Sequence, residues 1–274
     1  MTGRARNRFC QLLAALLFAV AALPSHADCS RDIVVPVSSI GVSVIVGNGT
    51  FSGIYPELFR SLGPRAGCHF AFTSVPRARQ ELLFESGKAD LLVPATRTPA
   101  RDVNGIFVPM VGHRAVLISL QSPRPPITNA QDLLDRRDLR VAVVRGFDYG
   151  EAYQAIVREL ARQGRLFTEV EPSAIARLLH IGAVDITIMG PTILAGAINR
   201  ETRVNGMLDR LRMEPIPELP WQQTGVYVSR TSLNPDDRAV LLELLERAAK
   251  SNVVLEGFQR YHRPEILAES VRPR

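Results

Sequence analysis

Strand-like and helix-like segments alternate along most of the chain, and this alternation restricts the fold more than any other feature of the sequence. Short runs rich in Val and Ile are separated by longer amphipathic segments that favour helix. One of these helices, expected over Pro76–Glu85, has proline in its first turn and Gly87 just past its end, an asymmetry typical of helices. The pattern predicts an α/β fold with largely parallel sheets.

The expected elements form two series separated by proline-rich segments. Strands are expected at Asp32–Val37, Ala89–Ala95, Ala115–Leu120, Arg140–Val144, Phe167–Val170, Asp185–Met189 and Thr224–Ser229, with a hairpin at Val44–Ser52. Helices are expected at Pro56–Gly63, Pro76–Glu85, Glu151–Gln163, Ser173–His180 and Arg238–Lys250. Prolines cluster at 123–126 and 215–220, where we expect the chain to cross between two lobes. Residues 28–121 and 221–274 then form the first lobe, and residues 122–220 the second.

A short internal repeat supports two lobes of one design. In the first half, Gly87-Lys88-Ala89-Asp90 links a helix to a strand. In the second half, Gly182-Ala183-Val184-Asp185 does the same. The equivalent position of this Gly-x-x-Asp sequence in each half indicates a shared plan.

The first 27 residues are typical of a secretory signal peptide. Arg4, Arg6 and Arg8 precede an apolar run, and a small-residue site ends at Ala27. The run is shorter than the roughly 20 residues that a membrane span requires. We therefore expect cleavage after Ala27 and a periplasmic location, with a retained membrane anchor as the alternative.

Removing the signal peptide leaves two cysteines and a small net charge. In an exported protein, Cys29 and Cys68 are expected to form one disulfide that ties two neighbouring strand starts, with two buried thiols as the alternative. The formal charge falls from +6 to +3 when the three signal arginines leave. This charge is too small for a nucleic-acid surface, and no basic run is interleaved with aromatic residues.

Several chemistries lack their usual sequence patterns. Gly47, Gly49 and Gly53 only superficially resemble a dinucleotide loop, because a hairpin strand lies between them. The histidines that follow residue 27 stand singly, without the spacing of metal ligands. Gly-x-Ser-x-Gly and Ser-x-x-Lys patterns are absent from the sequence. We expect no catalytic residue, no metal and no cofactor.

Ligands of open α/β sheets bind beyond the carboxyl ends of the strands. Three such ends carry small or polar residues, namely Thr96–Arg101, Arg145–Asp148 (with Gly146 and Phe147) and Gly190–Thr192. An arginine there offers a planar fork that matches a carboxylate. For Arg97, and initially for Arg101, the alternative is a solvated arginine or a surface ion pair with Asp102.

The order of several motifs resembles that of the extracellular solute-binding proteins of polar amino-acid ABC transporters. The family pattern runs Gly-aromatic-x-x-Asp-Leu, Gly-x-x-Asp, Thr-Pro-x-Arg and Phe-Ser-x-Pro. The matching segments here are Gly53–Leu58, Gly87–Asp90, Thr98–Arg101 and Phe107–Pro109. The resemblance extends over nearly all of residues 28–274, and the order and spacing of the motifs carry it.

This resemblance implies a type II periplasmic-binding fold with two hinge crossings that closes over a small solute. It implies that Arg101 binds the α-carboxylate of the solute and that Thr96 lies beside it. The implied partners are the solute and an inner-membrane ABC permease, and the protein is expected to be a monomer that does not bind nucleic acid.

The chain departs from the family at several positions of the site. Gly190 replaces the usual acid for the α-ammonium group, and Asp148 replaces a threonine. Ser39 and Arg77 fall where aromatic residues often sandwich the ligand. If Asp148 binds the ammonium group, the solute is an amino acid; if it points elsewhere, two arginines without a facing acid favour a dicarboxylate.

Three functions remain open from the sequence. The first is a periplasmic substrate-binding protein of an ABC transporter. The second is an enzyme on the same fold, similar to cyclohexadienyl dehydratases, although Glu57 and Asp148 have no evident catalytic partner. The third is a ligand-sensing domain that works with a membrane receptor.

Overall fold

The computed structural model describes residues 28–274 of the 274-residue chain. The expected signal peptide, residues 1–27, lies outside the described residues. The strands are β1 (Ile33–Val37), β2 (Ile45–Gly47), β3 (Thr50–Ser52), β4 (Phe70–Ser74), β5 (Leu91–Thr96), β6 (Gly105–His113), β7 (Val116–Leu120), β8 (Val141–Val144), β9 (Leu166–Glu169), β10 (Ile186–Met189), β11 (Leu211–Glu214), β12 (Gln222–Ser229) and β13 (Val271–Arg272). The helices are α1 (Ile54–Leu62), α2 (Arg77–Glu85), α3 (Pro99–Asn104), α4 (Ala130–Asp135), α5 (Glu151–Arg162), α6 (Pro172–His180), α7 (Pro191–Ile198), α8 (Pro235–Lys250), α9 (Val253–Tyr261) and α10 (Pro264–Ala268).

The first lobe is built on strands from both ends of the described chain. Its four-stranded sheet has the order β13-β6-β12-β5, and all of its pairs are antiparallel. Strands β1 and β4 form a parallel pair beside β5. Cys29 and Cys68 form a disulfide with their Cα atoms 4.8 Å apart, so the expected link between two neighbouring strand starts is present.

The second lobe contains a five-stranded sheet with the order β11-β7-β10-β8-β9. Strands β11, β10, β8 and β9 run in one direction, and β7, which lies between β11 and β10, runs antiparallel to both. The expectation of largely parallel sheets was therefore wrong for β7 and for the four-stranded sheet of the first lobe, whose pairs are all antiparallel. Each strand that meets a crossing pairs antiparallel with its neighbours.

The first crossing lies earlier in the chain than the proline cluster suggested. Strand β6 ends at His113 and β7 begins at Val116, so only Arg114 and Ala115 separate the two sheets. Strand β7 pairs with β10 and β11, and its apolar side chains enter the core of the second lobe. We therefore propose crossings at 114–115 and 215–221 in place of the expected boundary after residue 121.

Each lobe has its own hydrophobic core. Helix α5 shows how the sequence builds it, because Tyr153, Ile156 and Leu160 recur on one face and are buried against the second sheet. Helix α8 begins at an Asn234 cap whose side chain accepts a hydrogen bond from the Asp237 N–H. Within residues 28–274, no helix combines the length and the apolar character that a membrane crossing requires.

Candidate functional site

A small cavity lies between the lobes, next to both crossings. Its volume of about 50 Å³ equals the space of roughly three to four water molecules. Its wall comes mainly from the first lobe, and the second lobe adds Phe147, Asp148, Tyr149 and Ile193. The first-lobe residues are Ile40, Ser43, Arg77, Pro94, Ala95, Thr96, Arg101, Val111, His113, Thr224 and Phe258.

Two buried arginines of this wall share one carboxylate. Arg101 donates from Nε to Glu81 Oε2 at 3.1 Å and from Nη2 to Glu81 Oε1 at 2.8 Å. Arg77 donates from Nη2 to the same Oε1 atom. Their exposed side-chain fractions are 4% for Arg77, 6% for Arg101 and 16% for Glu81. Both arginines were predicted from the sequence, whereas the acid that joins them was not.

Glu81 is ionised at neutral pH in this arrangement. Burial raises its pKa, but the charges and hydrogen bonds of Arg77 and Arg101 outweigh burial and hold the pKa below its ordinary value. The three side chains therefore carry a net charge of about +1.

Arg77 retains a donor that the rest of the cluster does not use. Its Nη1 donates to Gln80 Oε1 at 3.1 Å and to the Pro94 carbonyl at 2.9 Å. Its Nε is buried and has no hydrogen-bond partner among residues 28–274. A buried N–H without a partner is unfavourable by about 1–3 kcal/mol, so an acceptor in the cavity would be stabilising.

Polar groups at the ends of three strands complete the site. Thr96, at the end of β5, has its hydroxyl 3.5 Å from that of Thr224 in β12. Asp148 follows β8, and its Oδ1 accepts a hydrogen bond from the Gly150 N–H at 2.9 Å. The second lobe thus contributes a carboxylate to the wall of the cavity.

Gly146 allows the turn that carries Asp148 to approach the first lobe. Its φ of +85° favours glycine, and a Cβ atom there would lie 2.7 Å from the Ala78 nitrogen. Phe147, the next residue, lines the cavity.

Gly190 lies against His113, a residue that the sequence reasoning left unassigned. A Cβ atom at position 190 would lie 2.2 Å from His113 Nε2. The imidazole therefore occupies the space that an acidic side chain at 190 would need. Burial lowers the pKa of His113 to about 4, so the ring is neutral at pH 7.

The structure separates one predicted site residue from the rest. Arg77, Thr96, Arg101, Phe147 and Asp148 line one cavity, and Gly146 and Gly190 lie directly behind its wall. Ser39 instead lines a surface groove with Glu171, because the chain turns after β1 and presents Ile40 and Ser43 to the cavity.

The missed residues differ in whether the sequence could have indicated them. Glu81 stands four residues after Arg77 on one helix face, a spacing that favours an ion pair. His113 carries no such local signal, because its role depends on contact with residue 190 across the crossing.

Within residues 28–274, no group of His, Cys, Asp or Glu side chains is arranged to hold a metal ion.

Two α/β lobes, two crossings and a small cavity between them, whose mostly apolar wall carries a few polar side chains, define a type II periplasmic-binding-protein-like module. A scan against protein-family models finds no match, and a search of curated proteins finds none either. Solved structures do match, and they include amino-acid ABC transporter substrate-binding proteins, as the sequence resemblance implied.

Three of these solved structures illustrate the likeness. The substrate-binding protein AbpA of Streptococcus pneumoniae, bound to L-arginine, is 16% identical, with a TM-score of 0.65 over 84% of this chain and 93% of that one. A histidine kinase sensor domain with similarity to periplasmic binding proteins is 20% identical, with a TM-score of 0.62 over 87% and 95%. The GluR0 ligand-binding core in complex with L-glutamate is 20% identical, with a TM-score of 0.64 over 85% and 98%. The two-lobed fold predicted from the sequence is thus confirmed.

Proposed function

We propose that the protein is the periplasmic substrate-binding protein of an ABC-type transporter and holds a small solute with one carboxylate between its lobes. The solute binds when the lobes close about the two crossings and is delivered to an inner-membrane permease. The binding cycle requires no catalytic residue and no cofactor. Solute stabilises the closed arrangement because it contacts both lobes there and only one lobe when they separate.

The observation that carries this proposal is that Arg77, a buried arginine whose Nε has no hydrogen-bond partner among residues 28–274, lines the interlobe cavity. A carboxylate oxygen that accepts from this N–H removes its desolvation cost and forms a charge-assisted hydrogen bond. Thr96 and Thr224 offer hydroxyl groups beside it. Arg101 lies in the same wall, with its fork donated to Glu81.

Charge and size narrow the class of solute. The dicarboxylate hypothesis assumed two arginines without a facing acid, but Glu81 contacts both of them. Asp148 of the second lobe supplies a carboxylate suited to an ammonium group. The cavity of about 50 Å³ favours a molecule of few heavy atoms. Together these features support a small amino acid.

Thermal melting against a panel of amino acids, monocarboxylates and dicarboxylates tests the proposal. A solute at 100 times its Kd should add about 2.7 kcal/mol, or roughly 5–10 °C in Tm for a chain of this size. The shift should disappear in Arg77→Ala. It should persist in the control Arg97→Ala, whose side chain is exposed and pairs with Asp102. A panel without any shift would contradict the proposal.

A ligand-sensing domain is the second candidate, and direct contact between the lobes favours it. Gly41 of the first lobe packs against the backbone of Ile193 in the second. Solute held between the lobes would alter this contact, and a membrane receptor that touches both lobes could detect the change. X-ray scattering with and without solute separates the two candidates: a measurable contraction supports delivery to a permease, and an unchanged radius of gyration supports a sensor that reports through small shifts in this contact.

A further inference from the structure

Glu81 takes the edge of Arg101 that is best suited to a ligand carboxylate. The two bonds from Nε and Nη2 reach the two oxygens of one carboxylate, which is the bidentate arrangement of arginine forks. Arg101 Nη1 is also engaged, because it donates to the Thr96 carbonyl at 2.7 Å. A solute carboxylate therefore cannot use this fork while Glu81 occupies it.

The cluster differs from an ordinary surface ion pair in its burial and in its place at the cavity. Arg97 and Asp102 form such a surface pair nearby, with the arginine more than half exposed. Glu81 is mostly buried, and both of its partners line the cavity. Removing its charge would leave two buried cations facing one small cavity, a state that attracts anions strongly.

We propose that Glu81 is a specificity-determining residue that restricts the cavity to solutes with a single carboxylate. It fills the Arg101 fork and cancels one of the two arginine charges, so that Arg77 alone remains to bind an external carboxylate. This inference rests on the proposed function and adds to it the side chain that rejects dicarboxylates.

The test compares Glu81→Gln with wild type by calorimetric titration, using acetate and malonate at matched ionic strength. Gln keeps the size of the side chain and removes its charge. The affinity for malonate relative to acetate should rise about tenfold or more, because the charges of both buried arginines are then left to attract a dianion. Glu85→Gln, an exposed change one turn further along α2, is the matched control and should leave the ratio unchanged.

A purely structural role for Glu81 gives a different result. In that case Glu81→Gln lowers Tm without changing the ratio of affinities, and the proposal is overturned. If the variant does not fold alone, its melt is repeated in malonate, acetate or sodium chloride. A cooperative transition restored by malonate alone supports the proposal, whereas no restoration by malonate overturns it.

The two proposals fail separately. A wild-type protein that responds to no solute in the melting panel contradicts the proposed function. The gain of malonate binding in Glu81→Gln is measured against that same wild type, and it tests Glu81 whether or not the natural solute is in the panel.

Discussion

The His113 side chain occupies the space that an acidic side chain at position 190 of the candidate site would need. Its ring stacks on Tyr149, with centroids 6.4 Å apart, and fills the space beside Gly190. An acid at 190 would be incompatible with this ring, so the usual partner of an α-ammonium group is absent from that wall. Asp148 remains as the carboxylate of the cavity.

The buried His113 ring predicts a pH dependence of stability. Its pKa is lowered from 6.5 to about 4, so the unfolded chain binds a proton that the folded protein excludes between these values. Stability should therefore fall as the pH drops from about 7 to 4, by about 2–3 kcal/mol from this group. Urea unfolding across this range measures the loss.

Two variants isolate this contribution. His113→Gln should reduce the dependence on pH without abolishing it, because burial also lowers the pKa of His262 to about 4 and that group remains. His69→Gln is the control for the loss of a largely exposed imidazole. Equal slopes in wild type and His113→Gln would refute the assignment.

Five of the predicted site residues line one cavity, but the sequence indicated them in two ways: Thr96, Arg101, Phe147 and Asp148 follow strand ends, whereas Arg77 was indicated by the family resemblance alone. Arg77 and Arg101 could be identified as cations, but not as partners of one acid, since that contact depends on how α2 packs against α3. Ser39 was predicted to line the cavity, but the next residue, Ile40, does so instead. The conformation of the turn after β1 decides which of these neighbours faces the cavity. Side-chain partners across the fold are what the sequence leaves undetermined.

At the scale of elements, the Gly-x-x-Asp repeat has the same structural role in both lobes. Gly87 and Gly182 each have a φ of +67° after a helix. Asp90 Oδ2 accepts from the Val34 N–H at 2.7 Å, and Asp185 Oδ2 accepts from the Arg140 N–H at 2.8 Å. Each aspartate precedes a strand and accepts a hydrogen bond from the backbone at a neighbouring strand: Asp90 joins the start of β5 to β1, and Asp185 joins the start of β10 to the start of β8.

The two aspartates should differ in their contribution to stability. Asp90 is 1% exposed and pairs with Arg31, whereas Asp185 is 31% exposed and pairs with Arg140. Asp90→Ala should reduce the free energy of unfolding by about 3 kcal/mol, because it leaves buried donors unpaired. Asp185→Ala should reduce it by about 1 kcal/mol, since water can replace the carboxylate. Urea denaturation at neutral pH measures both, and equal losses would contradict this ranking.

The boundaries of the expected elements agree with the structure within a few residues because their apolar patterns are periodic. Strands β6, β11 and β13 and helices α3, α4, α7 and α10 were not expected, and for α7 its burial explains why. All eight of its residues, Pro191–Ile198, are buried, so the helix has no polar face to give a periodic signal. In the sequence, its first residues, Pro191 and Thr192, were interpreted as part of the end of a strand.

At the scale of the whole molecule, the lobes meet through atoms of the backbone. Gly41 and Gly196 lie against each other, and Gly146 lies against Ala78. The last residues of the chain add a further connection, because Ser270 accepts a hydrogen bond from the Thr192 N–H at 3.2 Å. The guanidinium carbons of Arg114 and Arg272 lie 4.7 and 4.6 Å from the centroid of the Trp221 ring, which lies beside the crossings.

Gly146→Ala should push the lobes apart. Its Cβ would lie 2.7 Å from the nitrogen and 2.8 Å from the Cα of Ala78, and backbone atoms cannot rotate away as a side chain can. The radius of gyration from X-ray scattering should rise relative to wild type. The emission of Trp221, the only tryptophan, should change with it, because both guanidinium contacts lie at the crossings.

Gly164→Ala is the matched control for this change. Gly164 has a similar φ of +69°, but nothing lies within 4 Å of a Cβ built there. Both variants therefore share a backbone strain of about 1 kcal/mol, and only Gly146→Ala adds a clash between the lobes. If both variants keep the wild-type radius of gyration and lose the same stability, contact at Gly146 does not set the distance between the lobes. If only Gly146→Ala expands and also loses its response to solute, lobe contact and binding are coupled through this turn.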